Sequence, residues 1–193
     1  MKFHLRLLCL LLALNAVSTD VSAQRKKYTQ SFDEGMFVVD LHTSAGLYRS
    51  RQFLTSRLPV FAGLEYGIRN DVGLGAFFGW NQRQFKDPGA PAYDVNYYYF
   101  GGKVSFHLTR WLNKNFMLKF NPNAIDTYVN AWAGRQIASQ VNFSSTGIDN
   151  QGSVTLIGGL LGVKMYTNYN VGFMLEAGVG PYGLLNIGIC GKF

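Results

Sequence analysis

The chain has 193 residues, of which 48% are apolar, 15% aromatic and only 15% charged, with a formal net charge of +7. That balance excludes a charge-rich disordered tail. The length excludes a large channel, because at roughly ten residues per membrane strand plus turns the chain makes eight strands and not sixteen.

Lys2 and Arg6 open a basic start, Leu7 to Ala16 is apolar apart from Asn15, and Val21-Ser22-Ala23 places small residues before Gln24. This reads as a secretory leader over 1–23. The apolar run is shorter than the roughly 20 residues a helix needs to span a bilayer. A periplasmic segment, 24–34, is expected next, then a β-domain over 35–193. Cys9 falls in the leader, so Cys190 would be alone in the mature chain, which rules out an internal disulfide there.

Alternation with a period of two marks the strands. Gly35 to Tyr48 sets Phe37, Val39 and Leu41 against Val38, Asp40, His42 and Ser44. Arg49 to Arg57 reads as a basic loop, and Leu58 to Arg69 as the second strand. Asn70-Asp71 turns into a third, Val72 to Asn81. The breaker string Asp87-Pro88-Gly89-Ala90-Pro91 separates it from a fourth, Val95 to Leu108. Thr109 to Ala124 breaks the alternation, with a short helical turn expected around Trp111. Ile125 to Ile137 is a fifth strand whose facing is ambiguous. Ser153 to Thr167, the run from Val171 to Val179, and Leu185 to Phe193 complete the set.

One stripe of most strands is bulky and apolar. The other carries Asp40, His42, Glu65, Arg69, Lys103, His107, Lys164 and Glu176 among glycines. With long loops after odd strands and short turns after two even ones, this is the pattern of an all-β, eight-stranded antiparallel up-and-down transmembrane β-barrel. Closure hides every strand edge from hydrocarbon. The charged stripe is then a lumen network in which acids neutralise bases, and the termini are periplasmic. A water-soluble ligand-binding barrel or a β-sandwich would instead turn the bulky stripe inward.

Ile187 to Phe193, with its final phenylalanine, resembles the assembly signal that ends bacterial outer-membrane proteins, with Ile187, Ile189 and Phe193 carrying it. The stretches Tyr99 to His107 and Phe173 to Gly180 resemble the small outer-membrane β-barrel family of Bacteroidetes. More distantly the chain, over about Gly35 to Phe193, is similar to OmpX, OmpW and OmpA-barrel proteins. The resemblance implies the cell outer membrane, insertion by the barrel-assembly machinery, contact with outer-membrane lipid or lipopolysaccharide, and for some members a protein partner in an envelope complex.

No catalytic, cofactor-binding or metal-binding constellation emerges, and none is expected. Asp40, His42 and Ser44 share a face, but at about 6 to 7 Å per two-residue step they are too far apart for direct contact within one strand. Arg49, Arg51 and Arg57 form a basic outer loop suited to acidic headgroups or an anionic partner. Nucleic acid does not fit an exported chain. Phe61, Phe77 and Met174 on the inner face favour a filled bore, since eight strands leave room only for side chains. The leading expectation is a non-enzymatic structural or accessory subunit. A small-solute or hydrophobic-compound transporter, and a lipid- or peptide-hydrolysing enzyme, are the alternatives.

Overall fold

The computed structural model describes residues 30–45, 53–55, 58–85, 93–141, 152–167, 170–179 and 184–193. The expected leader, the basic-loop arginines Arg49, Arg51 and Arg57, and the breaker string lie outside them. The strands are β1 (Phe37–Ala45), β2 (Phe53–Thr55), β3 (Val60–Arg69), β4 (Val72–Phe85) and β5 (Tyr93–His107), then β6 (Ile125–Val141), β7 (Ser153–Tyr166), β8 (Val171–Val179) and β9 (Leu185–Lys192). One helix, α1 (Thr109–Phe116), joins β5 to β6.

All strand pairings are antiparallel, and β1 pairs with β3 on one side and β9 on the other to close the sheet. Phe37 and Phe193 exchange backbone hydrogen bonds at 3.0 and 2.8 Å, so the last residue completes the seam. The sheet has 9 strands by hydrogen bonding, but β2 and β3 share one edge of β4 and form a single stave. The barrel therefore has eight staves, as the alternation implies. Thr55 faces Arg83 and Val60 faces Trp80, so the shared stave is longer than its partner between those points. Pro59 lies in that interval and has no N–H to give the ladder. The basic run expected as a loop, Arg49 to Arg57, thus contains a short strand, β2.

Stave length is uneven. β1, β8 and β9 have 9, 9 and 8 residues, and β3 without its β2 extension has 10. That is close to the 9–11 a tilted strand needs to cross hydrocarbon, with β9 one residue short. β4, β5, β6 and β7 have 14, 15, 17 and 14. Their extra residues stand beyond the short staves at the end opposite the termini, and there they turn polar: Asn81 to Gln84 on β4, Asp94 and Asn96 on β5, Gln136 and Ser139 on β6. Trp80, next to the expected end of the third strand at Asn81, lies within β4, opposite Tyr98 in register.

Facing follows the alternation. On β3, Val60, Leu64, Tyr66 and Ile68 are exposed while Phe61 and Glu65 are buried. On β8, Val171, Phe173, Leu175 and Val179 are exposed while Met174 and Glu176 are buried. The wall presented to the surroundings is thus a continuous band of large apolar side chains. In water such a band is an aggregation surface. As the outer face of a closed barrel around a charged interior, it is a lipid-facing wall.

Glycine makes the narrow interior possible, through register. Phe61 faces Gly79 across β3–β4, Phe77 faces Gly101, Tyr128 faces Gly162, and Trp132 faces Gly158. Asp40 faces Gly63 and Lys103 faces Gly75 by the same rule. A Cβ on Gly79 would overlap the Phe61 ring, and one on Gly162 would overlap the Tyr128 ring. Each long inner side chain lies flat across a neighbouring backbone that has no side chain to displace it.

Candidate functional site

The site is the bore, which is filled in layers. Nearest the long-stave end is an apolar layer: Phe61, Phe77, Tyr99, Trp132 and Leu160, packed as one cluster. Phe77 and Trp132 meet edge to face at 5.9 Å between centroids. The inward parity of β3, β4, β5, β6 and β7 delivers one side chain each.

Below this lies the charged layer. The Glu65 carboxylate accepts from Lys164 Nζ at 3.1 Å and from His107 Nε2 at 2.9 Å, with Lys103 Nζ at 3.8 Å. Lys103 donates to Asp40 at 3.0 Å, and Asp40 meets His42 Nδ1 at 2.9 Å. His107 Nδ1 faces Asp126 at 2.9 Å. With carboxylates at both ring nitrogens, the His107 ring donates from both when those groups are ionised. Lys164 also lies 4.4 Å from the centroid of the Tyr128 ring. Glu65 and Lys164 are 1% and 0% exposed, so this pair is stable only because both ends are matched.

Of the residues expected in the lumen, Asp40, His42, Glu65, Lys103, His107, Lys164 and Glu176 meet there. Arg69 does not: it sits at the β3–β4 turn, largely exposed, 3.8 Å from Asp71. At the end of β3 its side chain has left the bore. Glu176 accepts from the Tyr128 hydroxyl at 2.8 Å and from the Asn130 and Asn186 amides at 3.2 and 3.0 Å. Ser44 donates to Asn186 at 2.6 Å. The direct Asp40–His42 contact corrects the expectation that residues two apart on one strand stay out of reach. Side chains that lean along the strand close the gap.

Asp126 was hidden by the ambiguous facing of the fifth strand. β6 puts Asp126, Tyr128, Asn130 and Trp132 inside and small Ala131 and Ala133 outside, the reverse of the bulky-outside rule. The signal was present in the parity of Asp126 and Asn130. Lys192, also missed, donates to the carbonyls of Gln30 and Asn123, each at 3.2 Å.

The end holding the termini is closed by residues 30–36. Phe32 stacks on the His107 ring at 3.4 Å between centroids and 8° between planes. Phe32, Met36 and Val38 form a buried cluster. Ser31 donates to the Ile125 carbonyl at 2.9 Å. Arg110 reaches Asp33 at 3.3 Å and also bonds the Phe32 carbonyl. The described part of the segment expected as periplasmic over 24–34 thus occupies the mouth.

Among the described residues no group of three or more His, Cys, Asp or Glu side chains is arranged to hold a metal. A cavity of about 20 Å³ lies beside Asp40, Lys103, Asn130 and Glu176. That suits a water and is far too small for a solute. Ile187 and Ile189 lie on the outer face of β9, half exposed, and Phe193 is more exposed still.

No family model matches the chain, and no curated protein matches it. Solved structures do. The outer membrane protein OprG of Pseudomonas aeruginosa aligns at a TM-score of 0.54 and 12% identity, over 84% of this chain and 97% of that one. The N-terminal β-barrel domain of OprF from Pseudomonas aeruginosa gives 0.45 and 15%, over 83% and 98%. Ail, the attachment invasion locus protein of Yersinia pestis, gives 0.46 and 15%, over 83% and 99%. The fold is that of small outer-membrane β-barrels, in which the termini face the periplasm.

Proposed function

We propose that this chain is a non-enzymatic barrel of the bacterial outer membrane that works through its surfaces, as a structural or accessory subunit of an envelope complex. The observation that carries the reading is the blocked bore. An apolar cluster of five side chains, a matched charge network and the segment 30–36 lie one behind another. A conducting role needs a continuous wet path, and a catalytic one needs a nucleophile and base beside a cleft that admits substrate. What supports an external partner is the polar continuation of β4, β5 and β6 beyond the lipid band. There Gln82 bonds Asp94 at 3.2 Å, Arg83 covers Tyr97 at 5.0 Å and Arg135 bonds Ser153 at 2.8 Å. The basic segment with Arg49, Arg51 and Arg57, expected from the sequence to be an outer loop, is part of this proposal. A home among the small barrels of Bacteroidetes, insertion by the barrel-assembly machinery and contact with lipopolysaccharide belong to the same proposal.

Two measurements test it. Reconstituted in planar bilayers, the protein is expected to show no steady conductance. Extracted in mild detergent from its own cells, it is expected to elute with a stoichiometric protein partner. A stable open-channel current that vanishes when the bore is further plugged would favour the transporter reading.

A further inference from the structure

The segment between β5 and β6 is built as a platform. α1 starts at the rim of the wall, on buried Thr109. Thr109 Oγ1 accepts from the Thr127 amide at 2.7 Å and lies 3.1 Å from the Thr127 hydroxyl. Thr127 has the outward parity of exposed Val129, opposite to buried Asp126 and Tyr128. Met117 ends the helix in a left-handed conformation, φ 53°. The returning chain is then clamped: Asn113 donates to the Phe120 carbonyl at 2.9 Å and accepts from the Phe120 amide at 3.1 Å.

What this platform displays is unusual for a turn in water. Trp111, Phe116, Met117 and Leu118 are 49%, 60%, 86% and 41% exposed. The Trp111 and Phe116 rings touch at 5.3 Å between centroids. Lys114 and Lys119 are exposed beside them. Residues 109–124 contain no Asp or Glu, and the third cation, Arg110, is turned to Asp33. Water disfavours the four apolar side chains, and the acyl region disfavours the lysines. The headgroup layer suits both, with aromatic and apolar bodies at the boundary and ammonium groups reaching phosphate. Just before α1 in the chain, exposed Phe106 and its register partner Val129 on β6 belong to the lipid-facing wall at this end of the barrel.

We propose that α1 and residues 117–120 are an interfacial anchor, seated in the phospholipid headgroups of the leaflet at the end of the barrel that holds the termini. Lys114 and Lys119 face lipid phosphates, and Trp111, Phe116, Met117 and Leu118 sink to the glycerol level. The anchor fixes how deep the barrel sits and leaves the mouth closed by residues 30–36 open to the periplasm.

The test uses full-length protein with Cys9 and Cys190 changed to Ser, refolded into vesicles of phosphatidylethanolamine and phosphatidylglycerol. A nitroxide is placed at Met117→Cys and, as an aqueous reference at the same end, at Glu34→Cys. In protein with the heat-modifiable gel shift of a folded barrel, the 117 label is expected to be severalfold less accessible to a water-soluble nickel chelate than the 34 label, and more accessible to oxygen. Adding Lys114→Glu and Lys119→Glu, both at exposed positions, is expected to raise nickel accessibility at 117 in phosphatidylglycerol vesicles. Equal nickel accessibility at 117 and 34 overturns the proposal and leaves the platform as a surface for a periplasmic protein. A 117 label that stays lipid-exposed but ignores the charge reversal overturns the phosphate contacts.

Discussion

Replacing Glu65 by Ala is expected to lower the unfolding free energy by about 3–5 kcal/mol, the range for breaking a buried ion pair by removing one partner. Glu65 accepts from Lys164 and His107 and lies beside Lys103. Its loss leaves His107 with Asp126 and Lys103 with Asp40. Lys164 loses its carboxylate while remaining fully buried. The double variant Glu65→Leu with Lys164→Met removes charge at both ends and is expected to cost less than Glu65→Ala alone, a coupling that a double-mutant cycle isolates. Urea titration in lipid vesicles, followed by tryptophan fluorescence, measures both. A Glu65→Ala loss within about 0.5 kcal/mol, as for an ordinary surface exchange, would mean that the network does not hold the bore.

The second large effect belongs to the wall. Leu175 is at the middle of β8, with Val163 and Ile187 as its register partners on either side. All three belong to the outward face. Arg at this position is expected to cost about 2–4 kcal/mol, the range for a basic side chain on the lipid face near the bilayer midplane. Leu175→Arg should therefore lose much of the heat-modifiable folded band on gels, while Leu175→Phe keeps it. Full retention of the folded band in Leu175→Arg would place Leu175 away from hydrocarbon.

Both effects rest on parity, and parity was the legible part. Asp40 and His42 alternating with Val39 and Leu41, or Glu65 with Leu64 and Tyr66, assign faces without coordinates, because successive side chains on a strand point to opposite sides. Register is not written in parity, so the pairing of Phe61 with Gly79 or of Glu65 with Lys164 emerged only when the strands were aligned. Choosing the outer face by side-chain size fails on β6, although the parity of Asp126 and Asn130 marks the inner one. There Trp132 lies inside and Ala131 outside, and Asp126 was lost with them. Strand ends are the other weak point. Arg69 belongs to the alternation of β3 but stands past the bore. The polar ends of β4 and β6 read as loops because strand residues beyond the lipid carry no apolar stripe. The mouth segment 30–36 has no periodicity, and its place is set by a few contacts, Phe32 on His107 above all, that join residues distant in sequence.

The central claim is tested most directly by single cysteines at Leu41, Leu64, Phe173 and Ile189, in protein with Cys9 and Cys190 changed to Ser, each carrying a nitroxide in reconstituted vesicles. All four labels are expected to collide freely with oxygen dissolved in the bilayer and only weakly with an aqueous nickel chelate. Labels shielded from both reagents, as side chains interlocked inside a water-soluble protein would be, would contradict the account.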